Sequence, residues 1–166
     1  MNLFNFCLVF QFFIQTSLGL EDEKKLQEHL ISNYNRLVRP VEKNTDILDL
    51  KLGLKLIQIL DIDEKNQILL TKVWVKHIWK DINLRWNPAE YANLTKVSIP
   101  STSIWIPDII LFNSADGKYE ISLMTRAKID YEGNVVWEPP AIYKSHCTIN
   151  VEFFPFDQQH CIMKEE

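Results

Sequence analysis

Three observations predict a mainly β chain, an antiparallel sandwich led by one α-helix. Apolar residues recur at helical spacing only near the amino terminus, before Arg39-Pro40. After that point the dominant period is two, the period of a strand with one buried face. The apolar segments are short and separated by Pro100, Pro107, Asp116-Gly117, Glu132-Gly133-Asn134 and Pro139-Pro140, turn signals at the density of a sandwich. Strand-helix-strand alternation, which a doubly wound enzyme needs, is missing.

Residues 1–20 are read as a secretory signal. An apolar run extends from Leu3 through Ile14, no charge appears before Glu21, and Ser17, Leu18 and Gly19 form a small-residue exit. Cleavage is expected near Gly19 or Leu20. The run is too short to span a bilayer. The competing reading, a buried amino-terminal helix, lacks a polar face at helical spacing.

From Glu21 to Leu37 an amphipathic helix is expected. Leu26, Leu30, Tyr34 and Leu37 fall at helical spacing, and Glu21, Asp22 and Glu23 place acids in the first turn. Arg39-Pro40 ends it, because a residue before proline avoids the helical region.

Between Asp46 and Leu60 the residues Leu48, Leu50, Leu52, Leu54 and Leu56 alternate with polar residues, and the phase flips at Ile57 and Ile59. This reads as a half-buried strand that carries a bulge or changes packing partner. Asp61 to Asn66 is a polar turn. Gln67 to Ile82 is the hairpin partner, with Val73, Val75 and Trp79 on one side and Trp74, Lys76 and Lys80 on the other. Further strands are expected near 96–99, 109–112, 119–126, 127–131, 134–138 and 148–153.

A chain of 166 residues with 46% apolar and 24% charged residues suits one domain, here 21–166 after the signal. A net charge of −4 offers no basic patch for phosphates, so nucleic acid is not expected as a partner. Of three cysteines, Cys7 leaves with the signal, and in an oxidising compartment Cys147 and Cys161 should pair. Closing that loop is worth roughly 3 kcal/mol in the chain-entropy model; the alternative is two free buried thiols. His146 and His160 flank the pair, but CxxC and HxxxH spacings are lacking, so no metal is expected. Asn93-Leu94-Thr95 is a glycosylation sequon on an expected surface turn. GxSxG, HExxH, GxGxxG and P-loop spacings are also missing, so neither an enzyme nor a cofactor is expected.

Trp79–Pro88 (WKDINLRWNP), Ile104–Gly117 (IWIPDIILFNSADG), Trp137–Ser145 (WEPPAIYKS) and Cys147–Cys161 (CTINVEFFPFDQQHC) together resemble the extracellular domain of nicotinic acetylcholine receptor subunits. The similarity covers nearly everything after residue 21. Its most specific element is the cysteine pair with thirteen residues between and Phe154-Pro155-Phe156-Asp157 inside, the signature of Cys-loop ligand-gated channels.

The resemblance implies a ten-stranded, immunoglobulin-like sandwich with an amino-terminal helix, at the extracellular face of a postsynaptic plasma membrane. It implies a pentamer whose sites for acetylcholine, or a similar quaternary ammonium ligand, lie between neighbouring subunits. Such a ligand is held by aromatic faces. Trp74 falls at the family's complementary-face tryptophan, with a core tryptophan as its alternative reading; core or scaffold roles are expected for Trp79, Trp86 and Trp105. Phe112 sits where agonist-binding subunits usually have tyrosine, so a ring face is kept and a hydroxyl lost. Trp105 and Asp108, in the Trp-x-Pro-Asp motif, resemble the support of a binding loop. Lys164 resembles a lysine tied to gating. The apolar tip Phe154-Pro155-Phe156, with Asp157, and the turn carrying Glu64 and Lys65 resemble the elements that couple binding to the membrane domain.

By the same resemblance, a main binding tryptophan, a paired-cysteine loop and four membrane helices follow beyond Glu166 in full-length members. The sandwich is therefore expected to be incomplete at its carboxyl end and poorly soluble alone. The alternative function is a truncated secreted product that binds ligand weakly or traps full-length subunits.

Overall fold

The computed structural model describes residues 21–43, 45–117 and 123–165. The expected signal and the first half of the strand expected over 119–126 lie outside them, and residues 123–125 are not in a strand. Among the described residues the architecture is mainly β: helix α1 (21–32) and strands β1 (Lys51–Asp63), β2 (Ile68–Lys80), β3 (Lys96–Pro100), β4 (Arg126–Asp130), β5 (Asn134–Trp137) and β6 (Pro140–His146). Every pairing described below is antiparallel, as the short, turn-punctuated segments require. The chain divides into two units. Among the described residues the first holds 21–49, Trp79–Trp105 and Arg126–Val136, and the second holds Leu50–Ile78, 106–117, 123–125 and 137–165.

In the first unit α1 buries Leu26 and Leu30, one helical turn apart. The helix stops at 32, earlier than the periodicity suggests, and Leu37 is 84% exposed. Local polar groups compete with the helical ladder there. The Ser32 hydroxyl donates to His29 O, and Asn35 Oδ1 accepts from the Leu37 N–H. Strands β3, β4 and β5 pair in the registers Val97↔Ile129 and Ile129↔Val135. Val97, Ile99, Ala127, Ile129 and Val135 are buried, while Lys96, Arg126 and Lys128 between them are exposed.

The turn from β4 to β5 is built by Asp130, whose Oδ1 accepts from the Glu132 and Asn134 N–H groups. It also uses Gly133 at φ 83°, a backbone region that favours glycine. Trp86 is buried and donates its Nε1–H to Leu94 O at 2.8 Å.

In the second unit β2 lies between β1 and β6. Its inward residues Leu69, Thr71, Val73, Val75 and His77 are all buried, so its alternation is realised. Val73 and Val75 pack with Ala141, and Tyr143 covers them. The phase flip in β1 is a pair of register shifts, between Leu56 and Gln58 and between Ile59 and Asp61. These keep Ile59 and Ile62 opposite the inward residues Thr71 and Leu69. The strand is less buried than expected, since Leu52, Leu54, Leu56, Ile59 and Ile62 all remain partly exposed. It also begins later than expected, at Lys51 instead of Asp46, and runs three residues further, through Asp63, leaving a shorter turn.

Three further expectations are corrected. Residues 109–112 form no strand but a single bridge, Leu111↔Glu165. Residues 148–153 are irregular, because the Cys147–Cys161 disulfide, with Cα atoms 5.1 Å apart, closes a loop rather than extending a strand. Strand β6, a segment in which no strand is expected and which begins within the Pro139-Pro140 turn signal, starts with a proline, which needs no ladder donor at a strand's first residue.

Candidate functional site

Trp74 stands between Val73 and Val75, which are buried, yet it is 41% exposed. The period of two turns it to the opposite face of β2 from the core. Its neighbours across the ladders are Lys55 on β1 and Pro140 on β6. Together with Gly53, Leu54, Lys55, Lys76 and Glu138 it lines an open cleft of about 380 Å³. The Val75 N–H donates to Pro139 O at 3.1 Å, which holds Glu138 beside the tryptophan. Lys76 Nζ lies 3.1 Å from Glu138 Oε1, a partly exposed pair worth about 0–1 kcal/mol. The cleft thus offers one aromatic face and a carboxylate already engaged by a lysine. Aromatic attraction is therefore the main handle for a cationic guest.

Phe112 is 60% exposed and is not among the residues lining that cleft. Its N–H donates to Lys164 O at 2.7 Å, so two residues singled out in the sequence lie side by side through their backbones. Asn113 extends the connection: its side chain bonds to His146 O, to Ile162 O and to the Lys164 N–H.

Trp105 is half-buried in the first unit, edge-on to Trp79 with centroids 5.9 Å apart. Its N–H donates to the Tyr34 hydroxyl at 3.1 Å, and that hydroxyl donates to Asp81 Oδ2 at 2.6 Å. Asp81 is fully buried, and burial pushes its carboxyl above the ordinary carboxylate range against the hydrogen bonds from Tyr34 and Asn83. Trp79 and Trp86 are buried, and Trp105 is half-buried. Asp108 is exposed.

The apolar tip of the disulfide loop faces solvent, with Phe153 and Phe154 exposed and Phe156 at 92%; the Phe154-Pro155 peptide is cis. Asp157 accepts from Gln159 Nε2, and Gln159 in turn bonds to Asn150. Glu64 and Lys65 are exposed in the turn between β1 and β2, where Asn66 donates to Asp63 and holds that carboxyl below its ordinary range. Asn93 is exposed at φ 60°, in a turn closed by its own N–H to Pro88 O.

Sequence reasoning missed Glu138, Asn113 and the Tyr34–Asp81 pair. Glu138 carried a usable signal, since the following Pro139-Pro140 interrupts the ladder beside Trp74. The other two depend on partners far away in the chain. Among the described residues no group of three or more His, Cys, Asp or Glu side chains is poised to hold a metal, and no helix is long and apolar enough to cross a membrane.

Residues 23–166 match the family described as neurotransmitter-gated ion-channel ligand binding domain. The chain is 54% identical to acetylcholine receptor subunit alpha-L1 of Schistocerca gregaria over 143 residues, covering 86% of this chain and 26% of the relative. It is 50% identical to acetylcholine receptor subunit alpha-type unc-63 of Caenorhabditis elegans over 161 residues, 97% of this chain and 32% of the relative. With neuronal acetylcholine receptor subunit alpha-2 of Rattus norvegicus it shares 47% over 165 residues, 98% of this chain and 32% of the relative. The chain spans between a quarter and a third of the length of these relatives.

Proposed function

The chain belongs to the neurotransmitter-gated ion-channel ligand binding domain family, a family of receptors and not of enzymes, and from that premise we propose how it works. It binds acetylcholine or a similar quaternary ammonium ligand at the interface between neighbouring subunits of a pentamer. Trp74 supplies an aromatic wall from the complementary face and Phe112 a second ring from the principal face. The observation that carries this reading is the outward ring of Trp74, open to solvent above a cleft while both its neighbours in β2 are buried.

A tetraalkylammonium group has no N–H to donate, so its affinity comes from burying methyl groups against ring faces and from the ring quadrupole. Phe112 contributes a face without a hydroxyl, so a hydrogen bond that tyrosine would make there is lost. Trp105 and Asp108 shape the segment leading to Phe112. The exposed apolar tip Phe154-Pro155-Phe156, with Asp157, the Glu64-Lys65 turn and Lys164, passes the binding signal to a membrane domain of the complete subunit; an apolar point of this kind gains nothing by facing water. Asn93 carries an N-linked glycan. The domain lies on the extracellular side after secretory routing.

Titrating the chain with tetramethylammonium, followed at the Trp74 indole resonance, tests the reading. Trp74→Ala should weaken binding by about 2- to 30-fold, corresponding to roughly 0.5–2 kcal/mol of cation–π attraction. Trp74→Phe should restore part of it. Equal affinity in all three proteins would remove Trp74 from the site.

A further inference from the structure

We propose that Asn113 is the positioning residue for Phe112, pinning its backbone between β6 and the segment that leaves the disulfide loop. The inference rests on Phe112 forming part of the ligand face.

Asn113 opens the polar stretch Asn113–Gly117, and such an asparagine ordinarily bonds its own backbone two residues on. Here its partners are distant in the chain. Nδ2 donates to His146 O at 3.2 Å and to Ile162 O at 2.8 Å, and Oδ1 accepts from the Lys164 N–H at 3.0 Å. A carboxamide has two N–H donors and one acceptor oxygen, and all three functions are used at once. The main chain runs the same way. The His146 N–H donates to Asn113 O, the Ala115 N–H to Lys144 O, and the Phe112 N–H to Lys164 O.

A ring as exposed as that of Phe112 is oriented chiefly by its backbone, and Asn113 fixes that backbone from both sides. Aspartate matches the shape but lacks the donors and sets a negative charge against two carbonyl oxygens. Leucine matches the shape and makes none of the three bonds. Glutamine keeps the groups but displaces them by a methylene.

The test uses the full chain with Asn113→Leu, Asn113→Asp and Asn113→Gln, and two readouts: amide hydrogen exchange, and tetramethylammonium titration followed at the Phe112 ring and the Trp74 indole. Asn113→Leu should raise exchange at the Lys164 and Phe112 amides about tenfold or more, the scale of losing one or two hydrogen bonds, with Ile129 in β4 unchanged. The Phe112 response to tetramethylammonium should fall several-fold. Asn113→Asp should keep the Lys164 amide protected through its retained acceptor yet lose the Phe112 response, a split that general loosening does not produce. Should Asn113→Leu fail to fold, the Asp and Gln variants carry the same comparison.

Wild-type exchange at Lys164 and Phe112 in Asn113→Leu overturns the proposal. So does a Phe112 response unchanged in both Asn113→Leu and Asn113→Asp. A wild-type Phe112 ring silent to tetramethylammonium removes the ligand reading instead, and the exchange data then decide the bracket alone.

Discussion

Replacing Tyr34 by phenylalanine removes one oxygen atom that serves two partners. The hydroxyl donates to Asp81 Oδ2 at 2.6 Å and accepts from the Trp105 N–H at 3.1 Å. Burial, reinforced by Asp81, pushes the phenol far above its ordinary value, so the group remains a donor. Asp81 is 0% exposed and would keep the Asn83 N–H at 2.9 Å on Oδ1 but lose its partner on Oδ2. A hydrogen bond to a charged acceptor is worth about 1.5–3 kcal/mol and a neutral one about 0.5–1.5 kcal/mol, so Tyr34→Phe should cost roughly 2–4 kcal/mol.

For a chain of this size that is a fall in melting temperature of roughly 5–15 °C, read by circular dichroism at pH 7. A cycle with Asp81→Asn should show coupling of at least about 1 kcal/mol, because the two groups share the bond. The pH dependence has a definite sign. As pH falls through the raised folded pKa of Asp81 the carboxyl takes up a proton, the charge-assisted part of the bond disappears, and the penalty of Tyr34→Phe shrinks. A melting temperature within about 1 °C of wild type, well below the size expected from these bonds, or a penalty that grows toward acid, would refute the reasoning.

Two other perturbations follow from buried or constrained positions. His77 is buried against Trp137 with ring centroids 5.1 Å apart, its Nδ1 has no partner among the described residues, and burial lowers its pKa. Below the ordinary histidine value of about 6.5 the unfolded chain takes up a proton before the folded one, so stability is lost as pH falls; His77→Leu should flatten the drop in urea midpoint between pH 7 and pH 5. Gly133 and Gly117 both have positive φ, but a Cβ on Gly133 would lie 2.2 Å from Asp81 O, whereas Gly117 faces open space. Gly117→Ala should therefore cost about 1–2 kcal/mol of backbone strain and Gly133→Ala clearly more, since its carbonyl also accepts from Asp81 N–H; equal thermal shifts would contradict the contact.

What the sequence determined by itself is whatever one short segment can specify. Strand β2 and the outward turn of Trp74 follow from side chains alternating across a strand. The bulged phase of β1 is visible in Ile57 and Ile59, and the β4–β5 turn in Glu132-Gly133-Asn134. The Cys147–Cys161 disulfide follows from the expectation of an oxidising compartment, which leaves these two cysteines to pair.

The tertiary structure decided whatever depends on which distant segment lies alongside. Strand β6 exists because 140–146 is paired by β2, although the Pro139-Pro140 pair where it begins suggests a turn. Residues 148–153, apolar enough for a strand, have no ladder because the Cys147–Cys161 bond closes them into a loop. Helix α1 yields at 32 to the side chains of Ser32 and Asn35, and Tyr34 ends beside Asp81 instead of on the helix. Asn113 has no distinguishing signal in the chain, and its role is visible only where it bonds to His146, Ile162 and Lys164. Hydrogen bonds between groups tens of residues apart leave no periodicity in the chain; only the fold brings such groups within 3 Å or so, the range at which these bonds form.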